Sequence, residues 1–136
     1  MAYAVACFEL LPEYQMTHSD HDDPTARLQQ ETCLKFGSPT VFPDEASKLG
    51  IALATLQRMP ITACRIHPQN GTNGWYIHGG EYSDDPDFYQ PLHVSHLADL
   101  LPQVLPYLAL APGYRFIIDD EGYEDVWYDP NVLAGR

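Results

Sequence analysis

The 136-residue chain lacks long hydrophobic runs, and none of its apolar segments approaches the ~18 residues that a membrane-spanning helix requires. A secretory signal is not expected either. The apolar run from Ala2 to Phe8 has no Lys or Arg before it and is followed at once by Glu9. We therefore expect a cytoplasmic protein that does not bind membranes.

Cysteine and basic residues are both scarce. The three cysteines, Cys7, Cys33 and Cys64, form no Cys-x-x-Cys pair and no even-numbered framework, so we expect reduced, mostly buried thiols. Seven Lys and Arg residues stand against 19 Asp and Glu residues, which gives a formal net charge of −12. This charge disfavours long-range attraction to nucleic acid or to an anionic membrane.

The negative charge is unevenly distributed along the chain. Residues 1–31 carry six acids and one base, residues 32–80 carry two acids and four bases, and residues 81–136 carry eleven acids and two bases. A field of one sign attracts partners of the opposite sign and can speed association ~10- to 10³-fold. The alternative interpretation is that the acids simply keep a small protein soluble.

The hydrophobic content of 45% is high enough for a buried core, and the length predicts one domain over residues 1–136. Apolar or alternating segments predict strands at 3–11, 61–67, 75–78, 114–118 and 123–128. Helical spacing predicts helices at 44–59 and 94–108, the second one interrupted by Pro102 and Pro106. This order predicts an α+β fold, with an antiparallel sheet of four to five strands and two main helices packed on one face.

The connections follow from turn residues. The pairs Asn70-Gly71 and Asn73-Gly74 predict a hairpin between the second and third strands, and Asp119–Gly122 predicts another before the last strand. Residues 81–91 are acidic and contain prolines, which predicts a loop, and residues 12–30 are polar and lack periodicity. We therefore expect a long, partly irregular loop over residues 12–30.

Few motifs favour catalysis or metal binding. The run His18–Asp23 contains two imidazoles and three carboxylates, so one alternative is a metal-dependent hydrolase that uses His18, His21 and Asp22. The run lies in a predicted loop, which favours a solvated segment and no metal. The run Ser83–Asp87 lacks the spacing of a calcium loop and is explained by turns. No nucleophile elbow or phosphate-binding loop is present, so the sequence predicts no enzyme and no cofactor.

Four motifs between residues 60 and 130 form a specific pattern. They are Gly74–Ile77 with its continuation through Gly80-Glu81 and Ser83–Phe88, Pro91–Leu97, Leu105–Phe116, and Asp125–Tyr128. Together they resemble the bacterial immunity proteins of polymorphic-toxin systems, in the group numbered thirty-three. The resemblance implies an immunity-protein-like core at residues 37–136 after a variable N-terminal extension at residues 1–36. It also implies a protein that binds and neutralises a cognate toxin and has no catalytic residues.

The resemblance and the charge together predict where a basic toxin would bind. We expect the contact surface to include the acids of residues 81–87 and 119–125, namely Glu81, Asp84, Asp85, Asp87, Asp119, Asp120, Glu121, Glu124 and Asp125. Such a surface would neutralise the toxin by protein–protein occlusion. The remaining alternative is a non-enzymatic adaptor or a regulatory domain that associates with itself as a homo-oligomer.

Overall fold

The computed structural model describes residues 23–134, which form a six-stranded sheet with short helices. In chain order the strands are β1 (Lys48–Ile51), β2 (Ile61–Arg65), β3 (Thr72–Gly79), β4 (Gln90–His93), β5 (Tyr114–Ile118) and β6 (Glu124–Tyr128). The α-helices are α1 (Pro24–Phe36), α2 (Leu97–Leu100) and α3 (Asn131–Ala134). Three 3₁₀ turns lie at Leu53–Thr55, Val94–His96 and Pro102–Tyr107.

The strand order in the sheet is β4-β1-β3-β2-β5-β6. Neighbouring strands are antiparallel except for β1 and β3, which run parallel. The predicted α+β class is therefore confirmed. The prediction of a purely antiparallel sheet with four to five strands is wrong, because β1 and β4 add two strands and one of the new pairs is parallel.

Strand β1 replaces the helix predicted for residues 44–59. Leu49 and Ile51 alternate with Gly50 and are both buried in the core. A Cβ atom on Gly50 would lie 2.6 Å from a ring carbon of Tyr76 on β3, so this pairing needs a glycine. The same glycine costs a helix about 1 kcal/mol relative to alanine. Pairing with β3 and β4 on its two sides therefore outweighs the helical spacing of the leucines.

Helix α1 begins inside the segment predicted as an irregular loop, so that prediction is wrong for residues 24–30. The Asp23 carboxylate accepts a hydrogen bond of 3.0 Å from the Thr25 backbone N–H, and Pro24 occupies the first turn, where no N–H is needed. Gly37, with φ of +75°, ends the helix. The buried face is short and partly polar, which explains its weak sequence signal. It consists of Ala26, Gln29 and Cys33.

The helical segment predicted at residues 94–108 is confirmed as short turns. The chain breaks at Leu101, with φ of −154° and ψ of 63°, directly before Pro102. The apolar side chains of these turns pack with α1 on one face of the sheet, which we call the core face. The core face is lined by Ile61, Ala63, Trp75, Ile77 and Phe116.

Both predicted hairpins are confirmed. Strands β2 and β3 pair antiparallel, and Asn70 and Gly71 have positive φ values of 55° and 80°, as a type I′ turn requires. Strands β5 and β6 pair antiparallel around a turn in which Gly122 has φ of +93°. The strand predicted at residues 3–11 lies outside the described residues. The single domain and its division at residue 37 stay predictions.

Candidate functional site

The two acidic segments leave the sheet at the same end. Strand β3 finishes at Gly79, which pairs with Ile61 of β2, and Ile61 also pairs with Ile118 at the end of β5. Neighbouring strands lie ~4.8 Å apart, so the two segments begin about 10 Å from each other. We call residues 81–89 the acidic loop, residues 119–125 the acidic hairpin, and the region they share the acidic end.

Two carboxylates shape these segments by capping backbone groups. Asp85 accepts a hydrogen bond of 2.9 Å from the Asp87 N–H, and Asp119 accepts two, each of 2.9 Å, from the N–H groups of Glu121 and Tyr123. Other acids of the acidic end are exposed and make no side-chain hydrogen bond or ion pair to any residue between 23 and 134. These are Glu81, Asp84, Asp87, Asp120 and Glu121.

Glu124 is bonded within the protein. Its Oε1 accepts a hydrogen bond of 2.7 Å from Lys35 Nζ on α1, and its Oε2 accepts one of 2.5 Å from the Tyr107 hydroxyl. These bonds, with the one from Lys35 first, hold the pKa of Glu124 below its usual range. Burial, and then the bond to Glu124, raises the pKa of Tyr107. Glu124 therefore joins α1 to β6, and its negative charge is partly neutralised by Lys35.

Aromatic side chains hold the acidic loop against the sheet. Tyr82, Phe88 and Tyr89 surround His78 of β3, with ring centroids 5.9, 5.6 and 6.3 Å from the imidazole. His78 Nδ1 also lies 3.2 Å from the Tyr89 hydroxyl. Ring contacts of this kind contribute ~0.5–1.5 kcal/mol each beyond the area they bury. These contacts hold the acidic loop against the side of β3 that carries His78.

A pocket of about 250 Å³ opens beside this cluster. Its floor is the sheet face opposite the core face, which we call the pocket face and which carries Thr62, Cys64, Tyr76, His78 and Arg115. Its rim is formed by the acidic loop and by the chain after β6, through Tyr82, Tyr89, Asp129 and Asn131. One concave site therefore lies between the sheet, the acidic loop and the chain segment that follows β6.

The family model of the Imm33-like domain matches residues 28–129. The chain belongs to the immunity protein 33-like family. The resemblance predicted from residues 60–130 is confirmed, and the match extends back into α1. Comparison with curated proteins and with solved structures gave no significant match. Over residues 23–134 of this Imm33-like protein, no helix is long and apolar enough to cross a bilayer.

The nine predicted contact residues of the Imm33-like domain all belong to the acidic loop or the acidic hairpin, and these two segments leave the sheet at the same end. Their role in binding a partner stays a prediction. The metal candidates His18, His21 and Asp22 lie outside the described residues. Across the described part of the chain, no group of three or more His, Cys, Asp and Glu residues is placed to hold a metal ion.

The pocket has no counterpart in the sequence-based predictions. The side chains of its floor alternate along β2, β3 and β5 with side chains that face the core. This alternation is the feature of the sequence that could have indicated a second, polar face of the sheet. In β5, for example, Arg115 stands between the buried Tyr114 and Phe116. It is also the single base between residues 81 and 135, among eleven acids. Alternation alone cannot tell a pocket from an ordinary solvated face.

We expect stability to depend on pH through His78. Burial, and to a smaller extent the positive charge of Arg115, lowers the pKa of His78 from 6.5. As the pH falls below 6.5, the unfolded chain therefore binds a proton at this position before the folded chain does. The free energy of unfolding should decrease as the pH falls from 7 towards the lowered pKa, by at most about 1.4 kcal/mol per pH unit.

Urea unfolding of wild type and His78→Phe between pH 7 and pH 5 measures this contribution. The phenylalanine keeps an aromatic ring in the cluster but cannot bind a proton, so the variant should lose less stability over this range than wild type. Equal decreases in the free energy of unfolding of the two proteins would contradict His78 as the source of this pH dependence.

Proposed function

We propose that this protein is an immunity protein that binds a cognate bacterial toxin and neutralises it by covering the toxin's functional surface. Membership of the immunity protein 33-like family supports this function. The observation that carries the proposal is the common origin of the acidic loop and the acidic hairpin at one end of the sheet. The partner that such a surface favours is a toxin with a basic face.

The charge distribution suits rapid capture of that partner. The acidic end holds nine carboxylates, whereas Lys35, the base bonded there, is already paired with Glu124. Charges of one sign on neighbouring loops reinforce each other within the ~8 to 10 Å over which physiological salt screens them. The aromatic contacts of the acidic loop limit the entropy lost on binding, so a larger share of the contact energy contributes to affinity.

Reversing three exposed charges should slow toxin binding. We expect Asp84→Lys, Asp120→Lys and Glu121→Lys, made together, to lower the association rate constant at least about 10-fold at low salt. The difference from wild type should shrink in high salt, because screening weakens exposed charges. Stopped-flow or surface plasmon resonance at two salt concentrations measures this. The toxin for this assay is identified by co-purification from the native host or from the neighbouring reading frame.

A matched control separates local from overall charge. Glu31, Glu45 and Asp99 are exposed acids outside the acidic end, and replacing these three by lysine changes the net charge by the same amount. The control should keep an association rate close to that of wild type. Equal rate constants in the two triple variants would contradict an acidic contact surface. A protein that binds itself but no toxin would favour the alternative of a self-associating adaptor.

A further inference from the structure

Arg115 on the pocket face has hydrogen-bonding capacity that the described part of the chain does not use. Its Nη1 lies 3.4 Å from Asp129 Oδ2, longer than the ~2.7–2.9 Å typical of a charge-assisted hydrogen bond. Its Nε is buried and finds no acceptor among residues 23–134. Buried donors without an acceptor are rare in native proteins, and each one calls for a missing partner or a functional reason.

The neighbouring groups determine what that partner should be. Among residues 23–134, Asp129 is the one carboxylate that lines the pocket, and its Oδ1 already accepts a hydrogen bond of 3.0 Å from the Asn131 N–H. Thr62 carries no charge, and the lowered pKa of His78 keeps its imidazole neutral at pH 7. The missing partner is therefore an acceptor. A carboxylate fits best, because its two oxygens match the planar fork of a guanidinium.

The size of the pocket favours a side chain over a free metabolite. Small-molecule and cofactor sites usually enclose roughly 300–1,000 Å³. The volume here, about 250 Å³, lies below that range and is enough for one Asp or Glu side chain together with ordered water. Tyr82 and Tyr89 form part of the rim and belong to the acidic loop, so a protein that covers the loop also reaches the pocket.

We infer that this pocket receives one Asp or Glu side chain of the bound toxin, whose carboxylate accepts hydrogen bonds from Arg115. The inference rests on the proposed function, since the toxin supplies the occupant. The acidic end attracts a basic surface, and the pocket selects one acidic residue within that surface. A toxin without this residue would cover Arg115 and leave it, from residues 23–134, only its long contact with Asp129 and its stacking on Trp127, so the pocket contributes specificity.

The first test compares toxin affinities at equilibrium. Arg115→Gln should weaken binding at least about 10-fold, because a charge-assisted bond in the interface is lost. Arg58→Gln is the matched control, since Arg58 is exposed and does not line the pocket, and it should bind within about twofold of wild type. Arg115→Lys keeps the charge but not the fork, and should recover only part of the lost affinity. Circular dichroism checks that each variant is folded.

The second test identifies the carboxylate on the toxin. Each exposed Asp and Glu of the toxin is replaced by Asn or Gln and measured against wild type and Arg115→Gln. One of these changes should weaken binding to wild type but have little further effect on binding to Arg115→Gln. Independent effects at every position, or wild-type affinity in Arg115→Gln, would overturn the inference, while the acidic-end variants would still report on the proposed function. Failure of wild type to bind any toxin would overturn both.

A third measurement needs no toxin. Cys64 lines the pocket and pairs with Arg115 across β2 and β5, whereas Cys33 is 1% exposed. In a Cys7→Ser background, the rate of Cys64 modification is measured with an anionic and with a cationic methanethiosulfonate. The ratio of anionic to cationic rates should fall at least about fivefold in Arg115→Gln and stay close to wild type in Arg115→Lys. An unchanged ratio in Arg115→Gln would overturn the anion preference.

Discussion

Replacing Arg65 with methionine is expected to lower the free energy of unfolding by about 3 kcal/mol. Arg65 is 1% exposed, and its Nε donates a hydrogen bond of 2.9 Å to the Asn73 carbonyl. Its Nη1 donates bonds of 2.8 Å to the carbonyls of Val41 and Leu110, and a longer one of 3.3 Å to the carbonyl of Leu108. Methionine fills a similar volume but donates no hydrogen bond, so the carbonyls of Asn73, Val41 and Leu110 lose this donor. The Leu108 carbonyl keeps a hydrogen bond of 2.8 Å from Trp75 Nε1.

The buried Arg65 guanidinium is stabilised by backbone carbonyls and an aromatic ring, without a carboxylate partner among residues 23–134. Burial lowers the pKa of Arg65 to about 10, so the side chain keeps its charge at pH 7. Its guanidinium also lies 5.6 Å from the Trp75 ring, a cation–π distance. Removing a desolvated charge offsets part of the loss, which is why the expected effect stays below the sum of three unsatisfied acceptors.

Urea unfolding at pH 7 measures the Arg65→Met effect, with Arg58→Met as the control. Arg58 is exposed, so its replacement should change the free energy of unfolding by less than about 0.5 kcal/mol. Equal stability of Arg65→Met and wild type would show that the four hydrogen bonds of Arg65 make no net contribution to the free energy of unfolding.

Replacing Gly74 with alanine is expected to cost at least about 3 kcal/mol of stability. Gly74 has φ of +94°, a conformation that L-residues with a side chain rarely adopt. A Cβ atom there would lie 2.0 Å from the Ile66 carbonyl oxygen, which belongs to the backbone and cannot rotate away. The hydrogen bond of 2.9 Å from the Ile66 N–H to the Gly74 carbonyl would be distorted as the strands separate.

Gly71 supplies a control with the same backbone preference and no clash. Its φ is +80°, and a Cβ atom there would meet nothing within 4 Å. Gly71→Ala should therefore cost only the conformational strain, about 1–2 kcal/mol. The difference between the two variants in urea unfolding isolates the steric part of the Gly74 effect. Equal losses at the two positions would contradict a steric role for Gly74.

Elements defined by local residues follow from the sequence. The Asn70-Gly71 pair specifies a turn with two positive φ values, and Pro102 excludes helical geometry at Leu101, so both hairpins and the broken helical segment were predictable. Helix α1 also had its capping residues, Asp23 and Gly37, in the sequence. Its short buried face, which includes the polar Gln29, gave too weak a pattern to distinguish it from a loop.

Strand β1 is different, because its own residues favour no single structure. The segment has the leucine spacing of a helix, and Gly50 weakens helix and strand alike. Its conformation depends on residues that are distant in sequence. Strand β1 pairs parallel with β3, and Gly50 packs against the Tyr76 ring of that strand. Strand β4 depends in turn on β1, so the prediction that missed one strand also missed the other.

The sequence by itself determined the family, the α+β class, the excess of negative charge and the two segments that carry most of it. Only the tertiary structure decided that these segments share one end of the sheet, because strand register sets which residues become neighbours. It also assembled the pocket from Thr62, His78, Arg115 and Asp129. A pocket requires side chains from several strands on one face, and no local pattern encodes that arrangement.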